Sequence, residues 1–127
     1  DKDVLGYVFG RTYFLNTTPA SQKYEIKAGE EGSRTYYIPT SLVEVELLAT
    51  SNKSIPFGAF SGITTIDFIT IPVTIERIGD SAFLDCTGLD SIYYSGTKEQ
   101  WAKIVGVSTD PDNEEVLSNI NIVYNHK

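Results

Sequence analysis

Four runs along the chain order apolar and polar residues in the same way, apolar-x-x-apolar-x-apolar. They are LVEVEL from Leu42, IDFITI from Ile66, LDSIYY from Leu89 and LSNINI from Leu117. Their first residues lie 24, 23 and 28 positions apart. The alternation that closes each run predicts a short strand with one buried face. Recurrence at a step of roughly 20–50 residues predicts a stack of repeated units.

The unit is clearest from Ile66 to Gly88, IDFITIPVTIERIGDSAFLDCTG. Pro72 has no N–H to give a ladder and is expected to end the first strand. Ile75 and Ile78 form a second apolar pair, and Gly79 suits a tight turn at positive φ. The stretch DSAFLDC predicts one short helical or 3₁₀ turn with Ala82, Phe83 and Cys86 facing inward. Phe60, in IPFGAFSGI, lies 23 residues before Phe83, and Ile63 is the counterpart of Cys86. The preceding unit is irregular. Leu42 and Val45 align either with Ile66 and Ile69 or with Ile75 and Ile78, and in both registers an insertion falls near residues 46–54. One such unit cannot bury its own apolar side. Stacked units form a parallel sheet over a continuous column of Ile, Leu and Phe, with Phe60 and Phe83 on equivalent rungs. The expected architecture is therefore a repeat solenoid.

The motif LxxIxIPxxIxxIGxxAFxxCxxL, carried by Ile66–Leu89 with Ile at the first position, resembles the BspA-like, or Treponema-type, leucine-rich repeat. The segment IYYSGTKEQWAKI resembles the closing segment of bacterial proteins of that group. The resemblance implies a leucine-rich-repeat-like right-handed coil, mostly β with short helical turns. It implies a secreted or surface-attached bacterial protein that binds other proteins or host surfaces, and it supplies no catalytic residues. What it carries over is packing, with Ile66, Ile69, Ile71, Ile75, Ile78, Ala82, Phe83, Cys86 and Leu89 as core.

An open stack needs its ends covered. In GTKEQWAKIVG, Thr97 and Gln100 form an S/T-x-x-Q capping box. Trp101, Ile104 and Val105 fall on one helical face, and Gly106 stops the helix. One capping helix is expected here, within a closing region at about 97–127, with Trp101 packed against the last unit. Residues 1–35 are expected to be an irregular β-rich segment or degenerate repeat, with GYVFG, TYFL and KYEI as β-prone runs and NTTPAS and KAGEEGSR as turns. Residues 36–127 form the repeat region.

Composition narrows the function. The net charge is −7, which repels phosphate backbones and anionic lipid, so nucleic acid is excluded as a partner. No run approaches the roughly 20 apolar residues of a membrane span. The chain has no Met, and is expected to derive from a longer precursor. The one cysteine, Cys86, reads as a small buried hydrophobe, because no cationic neighbour is indicated. The one histidine, His126, falls in a tail expected to fray. DPDNEE, from Asp110 to Glu115, lacks the EF-hand spacing and reads as a solvated loop, with a weak cation site as the alternative. Asn16 and Asn52 head glycosylation sequons that matter only in a eukaryotic secretory route. No phosphate loop, metal-spaced set or Ser-His-Asp order occurs, so no enzyme and no cofactor is expected.

The strand pattern also predicts an exposed face. In each run the second, third and fifth residues point outward. They are Val43, Glu44 and Glu46; Asp67, Phe68 and Thr70; Asp90, Ser91 and Tyr93; Ser118, Asn119 and Asn121. Aromatics ringed by polar groups resemble interface hot spots. Glu44, Glu46, Asp67, Phe68, Thr70, Asp90 and Tyr93 are thus the candidate binding strip; the alternative is that Phe68 and Tyr93 form a cross-strand pair that only stiffens the sheet. The expected function is a non-catalytic, monomeric protein-binding module at the cell surface or outside the cell, part of a bacterial adhesin contacting host or neighbouring-cell proteins. The alternative is an accessory glycan-binding or spacer domain of a larger secreted enzyme.

Overall fold

The structure, a computed structural model, describes residues 4–8, 10, 15–27, 29–48 and 53–127. It is a repeat fold, mostly strand with few helices, in a mixed arrangement of one antiparallel and two parallel sheets. The asparagine sequon at Asn52 and most of the TYFL run lie outside the described residues.

The main sheet is parallel, in the order β3 (Glu44–Glu46), β5 (Phe68–Ile71), β7 (Ser91–Tyr94) and β8 (Asn121–Val123). Val45, Ile69, Ile92 and Ile122 are in register across all four strands. Ile69 and Ile92 are fully buried, as are Ile71 and Tyr94 beside them. The ambiguous unit is thereby resolved: Val45 pairs with Ile69, while Ile55 takes the place opposite Ile78. A second, two-stranded parallel sheet joins β4 (Ser54–Ile55) to β6 (Arg77–Ile78), and an isolated bridge from Arg77 to Val105 continues it. Pro72 does end β5 at Ile71.

The turns after this second sheet stack on each other. Rings of Phe60 and Phe83 lie 5.7 Å apart at 21°, and Ala82, Phe83 and Cys86 are all buried. Gly58, Phe60 and Gly62 donate their N–H groups to the carbonyls of Asp80, Ala82 and Leu84 at 3.1, 2.8 and 2.7 Å. The counterparts of Gly58 and Gly62, Ser81 and Asp85, keep the same left-handed backbone, with φ of 58° and 59° against 67° and 72°. Glycine is required in the first turn because a Cβ would stand 1.9 Å from the Lys23 carbonyl oxygen at Gly58 and 2.0 Å from that of Ser21 at Gly62. Gly79 is needed for close approach rather than for positive φ: a Cβ there would lie 2.4 Å from the Phe57 nitrogen.

Two buried carboxamides terminate this ladder. The carbonyl of Ala59, one repeat before Ala82, accepts from the Leu5 N–H of the N-terminal 3₁₀ turn at 2.8 Å and from Gln22 Nε2 at 3.1 Å. At the other end Phe83 N–H donates to Asn113 Oδ1 at 3.1 Å, where a further turn would offer a carbonyl. Gln22 and Asn113 are both fully buried. Each supplies a donor and an acceptor to main-chain groups in the interior. Gln22 Oε1 also accepts from Gly6 N–H, and Asn113 Nδ2 donates to the Gly79 and Gly106 carbonyls.

Gln22 arrives on a long antiparallel hairpin, β1 (Thr17–Lys27) with β2 (Glu30–Pro39). Most of NTTPAS and of KAGEEGSR, expected as turns, lies in its strands. Pro19 is tolerated because both strands of a two-stranded hairpin are edges. Ala20, Gln22, Tyr36 and Ile38 point inward from the half nearest the repeats. GYVFG was expected to be β-like, but Leu5–Val8 is a 3₁₀ turn.

The closing region holds two short helices, not one. α1 (Lys98–Ala102) has the expected capping box, with Gln100 N–H on Thr97 Oγ1 at 3.1 Å and Thr97 N–H on Gln100 Oε1 at 2.8 Å. It ends before Val105, which is half exposed and bridges to Arg77 instead of facing in. Trp101 is buried against Tyr94, with centroids 5.1 Å apart. α2 (Pro111–Leu117) replaces the expected DPDNEE loop. Asp110 caps it, accepting from Asn113 N–H at 3.1 Å, and Pro111 occupies its first turn. Leu117 belongs to this helix, so the last strand starts at Asn121, and Ile122 rather than Ile120 continues the inner column.

Candidate functional site

The main sheet places the predicted strip on its outer face. Glu44, Phe68, Ser91 and Asn121 are in one register row, and Glu46, Thr70, Tyr93 and Val123 in another. Glu44, Glu46, Asp67 and Asp90 are exposed, while Phe68, Thr70 and Tyr93 are half-buried. Asp90 N–H donates to the Asp67 carbonyl at 2.8 Å, which stacks these two acidic positions at successive repeats. Ser91, expected outside, is buried, and Ser118 and Asn119 lie at the end of α2 rather than on the sheet.

Phe68 and Tyr93 are diagonal neighbours on adjacent strands. Their rings meet edge to face, with centroids 5.3 Å apart at 81°. His126 extends the aromatic row. Its ring lies 5.0 Å from that of Tyr93, and its N–H donates to the Tyr94 carbonyl at 2.9 Å. The tail is thus tied back onto the sheet instead of fraying. The hydrophobic pattern could not show this, because the contact depends on the Asn125 and His126 N–H groups returning to Gly96 and Tyr94. The arrangement is an aromatic ridge with carboxylates around it.

The other candidate chemistry is absorbed by packing. Asp110 Oδ2 accepts from Ser81 N–H at 3.0 Å and Asp112 Oδ2 from Ser81 Oγ at 2.7 Å. These carboxylates close the second turn against α2. Among the described residues no three His, Cys, Asp or Glu side chains group as a metal site would need. Cys86 is buried, with its Sγ donating to the Phe60 carbonyl at 3.0 Å. Burial pushes its thiol up to about 12, so the thiolate that attacks electrophiles is scarce at neutral pH. Iodoacetamide at about pH 8 should therefore modify Cys86 only after unfolding. Equal rates for native and denatured protein, followed by mass, would place the thiol at the surface.

No helix among the described residues is long and apolar enough to cross a membrane. Compared with curated proteins and with solved structures, the chain finds no match. Among protein families, the BspA type leucine-rich repeat region (6 copies) matches residues 31–103, more than half of the chain. Domains of this type are typically protein-interaction or surface modules, usually surface-associated and generally non-catalytic. The stacked 23-residue units around Phe60 and Phe83 and the family match agree, and the chain belongs to the BspA-type leucine-rich repeat family.

Proposed function

We propose that this chain is a right-handed solenoid segment that acts as a non-catalytic, monomeric protein-binding module of a bacterial surface adhesin, displayed outside the cell. Residues 1–35 lead into the repeats, residues 36–127 form them, and the closing region begins near 97. The partner is a protein of a host or neighbouring cell. Its contact surface is the strip of Glu44, Glu46, Asp67, Phe68, Thr70, Asp90 and Tyr93.

The observation that carries this reading is the Phe68–Tyr93 ring pair on the outer face of the sheet, with carboxylates at successive repeats around it. Aromatic anchors at the centre of a patch supply desolvation, and surrounding charge of one sign steers a partner of the other sign. The test is a pull-down from host-surface and matrix extracts, followed by binding kinetics for any partner recovered. Charge reversal at Asp67 and Asp90 should mainly slow association and weaken its salt dependence. Phe68→Ala should mainly speed dissociation, by about 1–2 kcal/mol. All three side chains point away from the core, so folding should change little. A partner that binds all these variants as it binds wild type contradicts the assignment.

A further inference from the structure

The loop ladder is closed by Leu5 and Gln22 at one end and by Asn113 at the other, but among the described residues the main sheet is open at β3. Leu47 N–H donates to Thr70, and the Val43 carbonyl accepts from Asp67. Residues 43, 45 and 47 therefore spend their main-chain groups on β5, and the alternation of a parallel ladder turns those of Glu44 and Glu46 to the free edge. β3 is an edge strand, and these groups meet no partner among the described residues. The inner column is also less covered here by the described residues. Leu42, Val45 and Leu47 are only half-buried, whereas their counterparts Ile66, Ile69 and Ile71 are 2%, 1% and 0% exposed. Val43 and Leu48, at the two ends of this edge, are 46% and 70% exposed.

We propose that the β3 edge accepts an extended, basic segment of the partner protein as a fifth strand of the sheet. This rests on the reading that the outer face is a contact surface, and adds the partner's chemistry and its mode of docking. Main-chain bonds to Glu44 and Glu46 hold the segment, and its inward residues complete the column at Val45. Its outward residues lie opposite Glu44 and Glu46, where Lys or Arg are complementary and where Asp67 and Asp90 continue the negative field. A second copy of this chain is disfavoured as the occupant, because pairing two β3 edges sets glutamates against glutamates. The opposite edge, β8, carries Asn121 and Val123 and lacks that charge.

The test uses a capped synthetic peptide of alternating lysine and valine, titrated into ¹⁵N-labelled protein. Saturable shifts should centre on residues 43–48, and amide exchange at Glu44 and Glu46 should slow about tenfold or more. The same peptide N-methylated at the residues facing β3 should not bind. Glu46→Pro should abolish binding, and Glu46→Gln, which removes the charge but keeps the N–H, should only weaken it, while in both the Ile69 and Thr70 amides keep their positions, since neither change removes a bond to β5. Should Glu46→Pro fail to fold, the N-methylated peptide still decides the matter. Absence of saturable binding, binding indifferent to N-methylation, or shifts at Phe68 and Tyr93 with unchanged exchange at Glu44 and Glu46 would each overturn the proposal. The last outcome would leave the outer-face reading intact, and that reading fails separately if Phe68→Ala has no effect on a natural partner.

Discussion

Phe83→Ala should lower the unfolding free energy by about 3–5 kcal/mol, the range for emptying a buried aromatic site. Phe83 is 0% exposed, and its ring stacks on that of Phe60, the same residue one repeat earlier. Its removal opens a void between two turns whose backbones are already tied by the Phe60 N–H bond to Ala82. Those main-chain bonds hold the spacing, so collapse into the void is restricted. Phe83→Leu keeps most of the volume and should cost less, about 1–2 kcal/mol. Chemical denaturation of the two variants beside wild type measures both. A midpoint unchanged by the alanine would remove Phe83 from the core and the stacked repeat with it.

Asn113→Ala should be nearly as damaging. It leaves the Phe83 N–H and the Gly106 carbonyl without a partner, and the Gly79 carbonyl with only the Ala82 N–H at 3.3 Å. A buried main-chain group left unpaired costs about 1–3 kcal/mol, and water entry recovers part of it, so a net loss of about 2–4 kcal/mol is expected. Asn113→Asp separates acceptor from donor. Its oxygen still receives Phe83 N–H, but its charged form sets a carboxylate against two carbonyls. Burial and those dipoles would raise the aspartate pKa above its unfolded value of about 3.9. A raised pKa means the stability of this variant is greatest at acid pH, where the carboxyl is neutral, and falls as pH rises through the folded value. Denaturation midpoints at several pH values check this, relative to wild type at each. A variant as stable as wild type at neutral pH would show that α2 does not close the ladder through Asn113.

Much of the fold was legible because its core is a column. Ile69, Ile92, Ala82, Phe83 and Cys86 recur at the repeat step and are buried as the pattern demands. The last strand was misplaced for a physical reason. The alternating end of the run is unchanged by a shift of two, so Ile122 and Tyr124 can take the places read for Ile120 and Ile122 with the faces preserved. The tie is broken by Leu117, whose apolar side chain serves the inner side of α2. The helix start is encoded in Asp110 and Pro111, but a density of carboxylates is equally the mark of a solvated loop or a cation site. Gln22 and Asn113 could not be found at all from apolar periodicity. They are polar residues buried to satisfy main-chain groups that exist only once the turns stack. Of the strip, the alternation showed which side chains face outward; the His126 ring on Tyr93 and the open edge at β3 depend on how the two ends of the sheet are finished.

The most direct test of the outer sheet as the contact face is a residue-resolved amide footprint of the labelled chain with a partner recovered by wild type. Changes are expected at Asp67, Phe68, Thr70, Asp90 and Tyr93, fading toward the stacked turns at 56–62 and 80–86, which should be silent. A footprint centred on those turns or on the β1–β2 hairpin, with Phe68 and Tyr93 unchanged, would contradict it.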